Sequence, residues 1–201
     1  MSMNSWDLSG FTRLEWVQVP MDTRIRLAAA PYMNGWGYDL SSARVLYDLP
    51  DDMKADGVEW GLGDRRVTNC STLTTSPLTS VFPDCPWTLT EYGDLQVFGD
   101  RLPDHPDSPI QAAVRMKVAR EVTDPPPGQW CLVQGWRTFD PSGPRYSGHA
   151  FLVRTDREGD GITVLEASSR NGIGPRYRRT TWTDLRGEYP HSVHLGVLTD
   201  P

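Results

Sequence analysis

A chain of 201 residues, 38% of them hydrophobic, can bury about 70% of the surface its unfolded form exposes, so one complete hydrophobic core is attainable. A net charge of −6, with the acidic residues dispersed along the chain, argues against a phosphate-tracking surface, and nucleic acid is not an expected partner. Met1 to Phe11 is polar, contains Asp7 and has no apolar run, so neither a signal peptide nor a membrane span is expected.

No Ser/Gly-rich linker or repeat divides the sequence, which predicts a single domain over residues 1–201, with an irregular N-terminal part at 1–60 and a core at 61–201. In chain order, Leu14 to Val19 alternate in the manner of a short strand before Pro20, and Ala28, Ala29 and Ala30 suit a short helix. From Asn34 to Gly63 the chain mixes glycines with Trp36, Tyr38 and Trp60, a composition for loops lining a cleft or for aromatic core plugs. Next comes Cys70, which Thr68 or Asn69 would place in the first turn of a helix that Pro77 limits to about two turns. Orphan N–H groups and the helix dipole favour an anion there and lower a thiol pKa.

A second helix starts at Ser108, Pro109 and Gln111, a capping box with proline in the first turn, and its apolar positions run through Ile110, Ala113, Val114 and Val118 to Val122. Pro125, Pro126, Pro127 and Gly128 end it. Strand-like stretches follow at Gln129 to Arg137, His149 to Thr155, Gly161 to Ala167, Arg176 to Trp182 and Val193 to Leu198. Helices first and strands joined by short turns afterwards predict an α+β fold, with helices packed on an antiparallel sheet.

Three cysteines, Cys70, Cys85 and Cys131, form neither a disulfide scaffold nor the paired spacing of a zinc site, so no metal or other cofactor is expected, and a site of Cys70, Cys85 and His149 has no ligand spacing behind it. Nucleophilic catalysis by cysteine needs a base and a third group that orients the base. The loop Arg157 to Gly161 should join two strands as a hairpin, placing His149 across from Glu166 or Ser168 and Glu166 within reach of the imidazole. That arrangement suggests Cys70 as nucleophile, His149 as base and Glu166 as the acceptor of the His149 Nδ1–H, with Asn171 as the alternative orienting group. Each residue also has a structural reading: Cys70 as a buried inert thiol or, in an exported protein, as half of a Cys70–Cys85 disulfide, and His149 and Glu166 as satisfied strand residues. Cys131 reads as a core strand residue, His105 as part of an acidic, proline-rich loop, and Arg176, Arg178 and Arg179 as the solvated face of a strand without function.

Gly148-His149-Ala150-Phe151-Leu152-Val153, a glycine turn and Ile162-Thr163-Val164-Leu165-Glu166 resemble the histidine and glutamate strands of CHAP amidases and, more loosely, of NlpC-type cell-wall peptidases. Pro31 to Gly37 resembles the segment preceding the cysteine in NlpC-type enzymes, and Pro127-Gly128-Gln129-Trp130 the turn before their central strand. The resemblance spans about residues 30 to 182. It implies a papain-like core and a cysteine peptidase or amidase acting on peptide or peptidoglycan amide bonds. The sequence departs from the pattern where Ser71, Thr72, Thr74, Thr75 and Pro77 follow the cysteine and where Ser168 replaces an asparagine. A non-catalytic binding or phage structural module, and an intracellular acyltransferase or peptide-processing enzyme, are the alternatives. Arginine carries the positive charge except at Lys54 and Lys117, a bias of GC-rich coding that points to a bacterium or its phage. The expected location is the cytoplasm, or the cell wall after delivery by a phage tail, lysis system or secretion apparatus.

Overall fold

A computed structural model describes residues 13–33, 37–38, 67–68, 70–82, 109–136, 148–168 and 174–200. Asn69, Cys85, His105, Ser108, Asn171 and all of the expected loop region except Gly37 and Tyr38 lie outside them. The described elements are helices α1 (Arg13–Gln18) and α2 (Met21–Ala29), a 3₁₀ turn (Ala30–Met33), strands β1 (Gly37–Tyr38) and β2 (Val67–Thr68), and helices α3 (Cys70–Val81) and α4 (Pro109–Arg115). Strands β3 (Ala119–Val122), β4 (Trp130–Trp136), β5 (Gly148–Thr155), β6 (Gly161–Ala167) and β7 (Pro175–Thr181), helix α5 (Trp182–Glu188) and strand β8 (Ser192–Leu198) follow. The fold is mixed α+β, with six strands in the order β3-β8-β4-β5-β6-β7, every neighbouring pair antiparallel. No described helix is long and apolar enough to cross a membrane.

Side chains alternate across a strand, and both faces of the sheet are apolar. Leu132, Leu152, Leu165 and Leu198 face one cluster with Ile25 of α2, Leu73 and Leu78 of α3 and Ile110 of α4. Cys131, Val133, Phe151, Val153, Ile162 and Val164 face a second cluster with Leu185 of α5 and Tyr189. All seven residues of β4 are buried as a result. Two residues before that strand, Gly128 adopts φ 74°, a left-handed turn conformation that favours glycine.

Four expectations about elements need correction. Leu14 to Val19 is mostly helix α1, not a strand: Trp16 is buried between exposed Glu15 and Gln18, a spacing of three rather than an alternation. Helix α3 runs past Pro77 to Val81. Leu73, Leu78 and Val81 are fully buried, and this packing outweighs the roughly 3 kcal/mol cost of an interior proline. The helix expected to reach Val122 stops at Arg115. There Lys117 takes φ 61° while its N–H bonds to the Val114 carbonyl and that of Val118 to the Ala113 carbonyl, a Schellman stop without its usual glycine. Val118 and Val122, four apart, fitted helix and strand periods alike. Lastly, Trp182 begins α5 rather than ending β7: the Thr181 side chain accepts the Asp184 N–H, a helix cap that the pattern Thr-x-x-Asp signals.

Candidate active site

Cys70 is the first residue of α3, the helix that packs on β5 and β6. Its side chain is buried, and Cys85, its partner in the disulfide reading, lies outside the described residues. The Thr74 hydroxyl donates to the Cys70 carbonyl at 2.6 Å and ties down the first turn. His149 is the second residue of β5, so Cys70 and His149 meet where their elements start. The pairs Leu152↔Leu165 and Val153↔Val164 set a register that, carried back along β5, places Ser168 opposite His149 and Glu166 on the diagonal, within reach of a long side chain.

Glu166 Oε2 lies 3.1 Å from His149 Nε2, and His149 also shares a hydrogen bond with Cys70. The expected Nδ1 contact to Glu166 is therefore corrected: Nε2 faces the carboxylate, which leaves Nδ1 for the thiol. The imidazole is held on its flat side as well. It lies 11° from parallel with the Tyr189 ring, centroids 6.1 Å apart, and 5.1 Å from the Phe151 ring.

Burial works most strongly against a charged imidazole here, but the hydrogen bonds and charges of Cys70 and Glu166 outweigh it and raise His149 to about 9. Burial likewise opposes ionisation of Glu166, and the bonds and charges of His149, Arg176 and Arg178 overcome it and hold the carboxyl down at about 2. The arrangement favours an imidazolium between the Glu166 carboxylate and the Cys70 sulfur.

Comparisons with known protein families, curated proteins and solved structures find no match.

The arginines read from the sequence as a solvated face divide between the two sides of β7. Arg179 is 62% exposed and pairs with Asp156 at 2.6 Å. Arg176, directly across from Glu166 in the ladder, donates to its Oε1 from Nε at 3.1 Å and Nη2 at 2.8 Å. Arg178 donates from Nε to the same oxygen at 2.8 Å. The solvated-face reading is thus corrected for Arg176 and Arg178 and holds for Arg179, because alternation that exposes one arginine turns its neighbours inward. Extending the hairpin register by one strand would have found them, since a buried carboxylate requires donors for both oxygens. Cys131 lies in β4 with its thiol pushed up to about 12 by burial, unsuited to nucleophilic chemistry. Among the described residues no group of three His, Cys, Asp or Glu side chains could hold a metal ion.

Gly135 pairs with His149 across β4 and β5, and a Cβ on it would sit 2.7 Å from Tyr189 Cγ. Gly135→Ala should therefore destabilise the protein by about 1–3 kcal/mol and lift the tyrosine ring off His149. Denaturant unfolding checks the loss.

Proposed function

We propose that the protein is a cysteine-dependent amide hydrolase with a papain-like core and a triad of Cys70, His149 and Glu166. One observation carries the reading: a buried cysteine at a helix N-terminus shares a hydrogen bond with a histidine whose ring Nε2 is committed to a buried glutamate. A helix start stabilises a thiolate through unpaired N–H groups and the helix dipole.

The Cys70 thiolate attacks the carbonyl carbon, forming a C–S bond and moving the π electrons onto oxygen, and the backbone N–H of Cys70, in the first turn of α3, donates to that oxyanion. As the tetrahedral intermediate collapses, the C–N bond breaks and His149 passes its Nδ1 proton to the leaving amine. Neutral His149 then takes a proton from water, whose oxygen attacks the thioester, and the thiolate departs beside the restored imidazolium. Glu166 stays ionised throughout and keeps the ring turned toward the sulfur.

The likeness of the His149 and Glu166 strands to those of CHAP amidases and NlpC-type peptidases points to peptide or peptidoglycan amides as substrates, with delivery to the wall by a phage tail, lysis system or secretion apparatus. Iodoacetamide labelling of the intact protein across a pH series, mapped by mass spectrometry, tests the triad. Cys70 should alkylate near pH 6, about two units below an ordinary thiol, while Cys131 stays unmodified. A Cys70 that reacts only above pH 8 would leave the alternative of a non-catalytic binding module.

A further inference from the structure

We propose that Glu188, acting through Arg178, is a positioning residue for Glu166: by occupying the fork of the Arg178 guanidinium, it keeps Glu166 Oε2 available to His149. Arg178 Nη1 and Nη2 donate to the two oxygens of Glu188, each at 2.9 Å, while Nε alone reaches Glu166 Oε1 at 2.8 Å. A guanidinium binds a carboxylate best through two parallel N–H bonds. Released from Glu188, the Arg178 fork would turn to Glu166 and claim both of its oxygens, drawing Oε2 away from the imidazole. The Arg178 side chain is 19% exposed and that of Glu188 28%, so water competes weakly for the pair. Arg176 anchors Oε1 independently. The charged groups facing Glu166 among the described residues are His149 from β5 and Arg176 and Arg178 from β7, with Glu188 behind Arg178 at the end of α5. The next residue, Tyr189, stacks on His149, so one end of a short helix aligns base and orienting carboxylate together. As a contribution to catalysis the proposal rests on the triad reading.

The test is an NMR titration of the His149 ring nitrogens beside iodoacetamide labelling of Cys70. In the wild type His149 should carry its proton on Nε2 when neutral. Glu188→Ala should lower the His149 pKa by about one unit, a tenfold change in its protonation equilibrium, and slow Cys70 labelling at pH 6. In an Arg178→Met background the same substitution should shift nothing, because no fork remains to be occupied. Glu188→Gln, which keeps the side-chain volume and removes the charge, should shift His149 in the same direction by less and serves if the alanine variant does not fold. An unchanged His149 titration in either Glu188 variant, or an equal shift with and without Arg178, would overturn the proposal. Failure of the triad reading looks different: His149 still responds to Glu188, yet wild-type Cys70 does not label at pH 6.

Discussion

Cys70→Ala should abolish amide hydrolysis, with a loss on the order of a million-fold in turnover as for deletion of other covalent nucleophiles, while the protein keeps its fold. Alanine retains the helix-forming backbone and gives up one sulfur atom at an element terminus, where the surrounding core is supplied by Leu73 and Leu78 rather than by the thiol. The stability cost should stay near 1 kcal/mol. His149 should titrate lower in this variant, since Cys70 helps to hold its pKa at about 9. Steady-state hydrolysis, a thermal melt and the His149 titration check the three parts. An unfolded variant together with a wild-type thiol inert to iodoacetamide would make Cys70 a core residue and end the enzyme reading.

Glu166→Gln is expected to cut turnover by about 10²- to 10⁴-fold, because the amide keeps the shape but gives up the charge that stabilises imidazolium and selects its tautomer. It also deprives Arg176 and Arg178 of their anion. Breaking a fully buried pair costs about 3–5 kcal/mol. With guanidinium side chains 31% and 19% exposed, a loss of about 1–3 kcal/mol is expected after solvent screening. The pH dependence follows from the two shifts. His149 is raised from 6.5 to about 9, so its share of stability is full below 6.5 and disappears as pH rises through 9. Glu166 is lowered from 4.5 to about 2, so its share is full above 4.5 and disappears as pH falls toward 2. The stability gap between wild type and Glu166→Gln should therefore be widest from about pH 4.5 to 6.5, close as pH falls toward 2, and narrow without closing above pH 9, where the His149 share is lost but Arg176 and Arg178 still pair with Glu166, as denaturant unfolding across a pH series would reveal. A gap independent of pH would make Glu166 an ordinary strand residue.

The β5–β6 hairpin was the most legible part of the chain because its turn, its alternation and its one costly residue all agree. Gly159 in the turn has φ 77°, the strand limits match closely, and a carboxylate between Leu165 and Ala167 needs a partner that His149 supplies. The α+β architecture followed from the order of helical and strand-like stretches. Where local signals conflicted, tertiary packing decided: Trp16 sits in a helix despite alternating neighbours, and α3 continues past Pro77 because its apolar face is buried. Lys117 hid a helix end by doing what glycine usually does. The outer half of the candidate site was missed for another reason. Arg178 and Glu188 acquire meaning only when β7 is paired with β6 and α5 folds back behind them, a relation that spacing within one segment does not display.

The two halves of the candidate site also differ in the length of chain that must close to make them. His149 and Glu166 are 17 residues apart, and Arg176 and Arg178 follow Glu166 by 10 and 12, so a meander of neighbouring strands brings base, carboxylate and guanidinium groups together through short loops. Cys70 arrives from a separate helix far upstream, across a connection whose closure entropy is larger and whose contacts form more slowly. Loop closure alone favours alignment of the imidazole before the sulfur reaches it. Until that helix docks, the sulfur remains an ordinary thiol, weakly nucleophilic and slow to oxidise at neutral pH; on the triad proposed above, a reactive thiolate is confined to molecules whose fold is already complete.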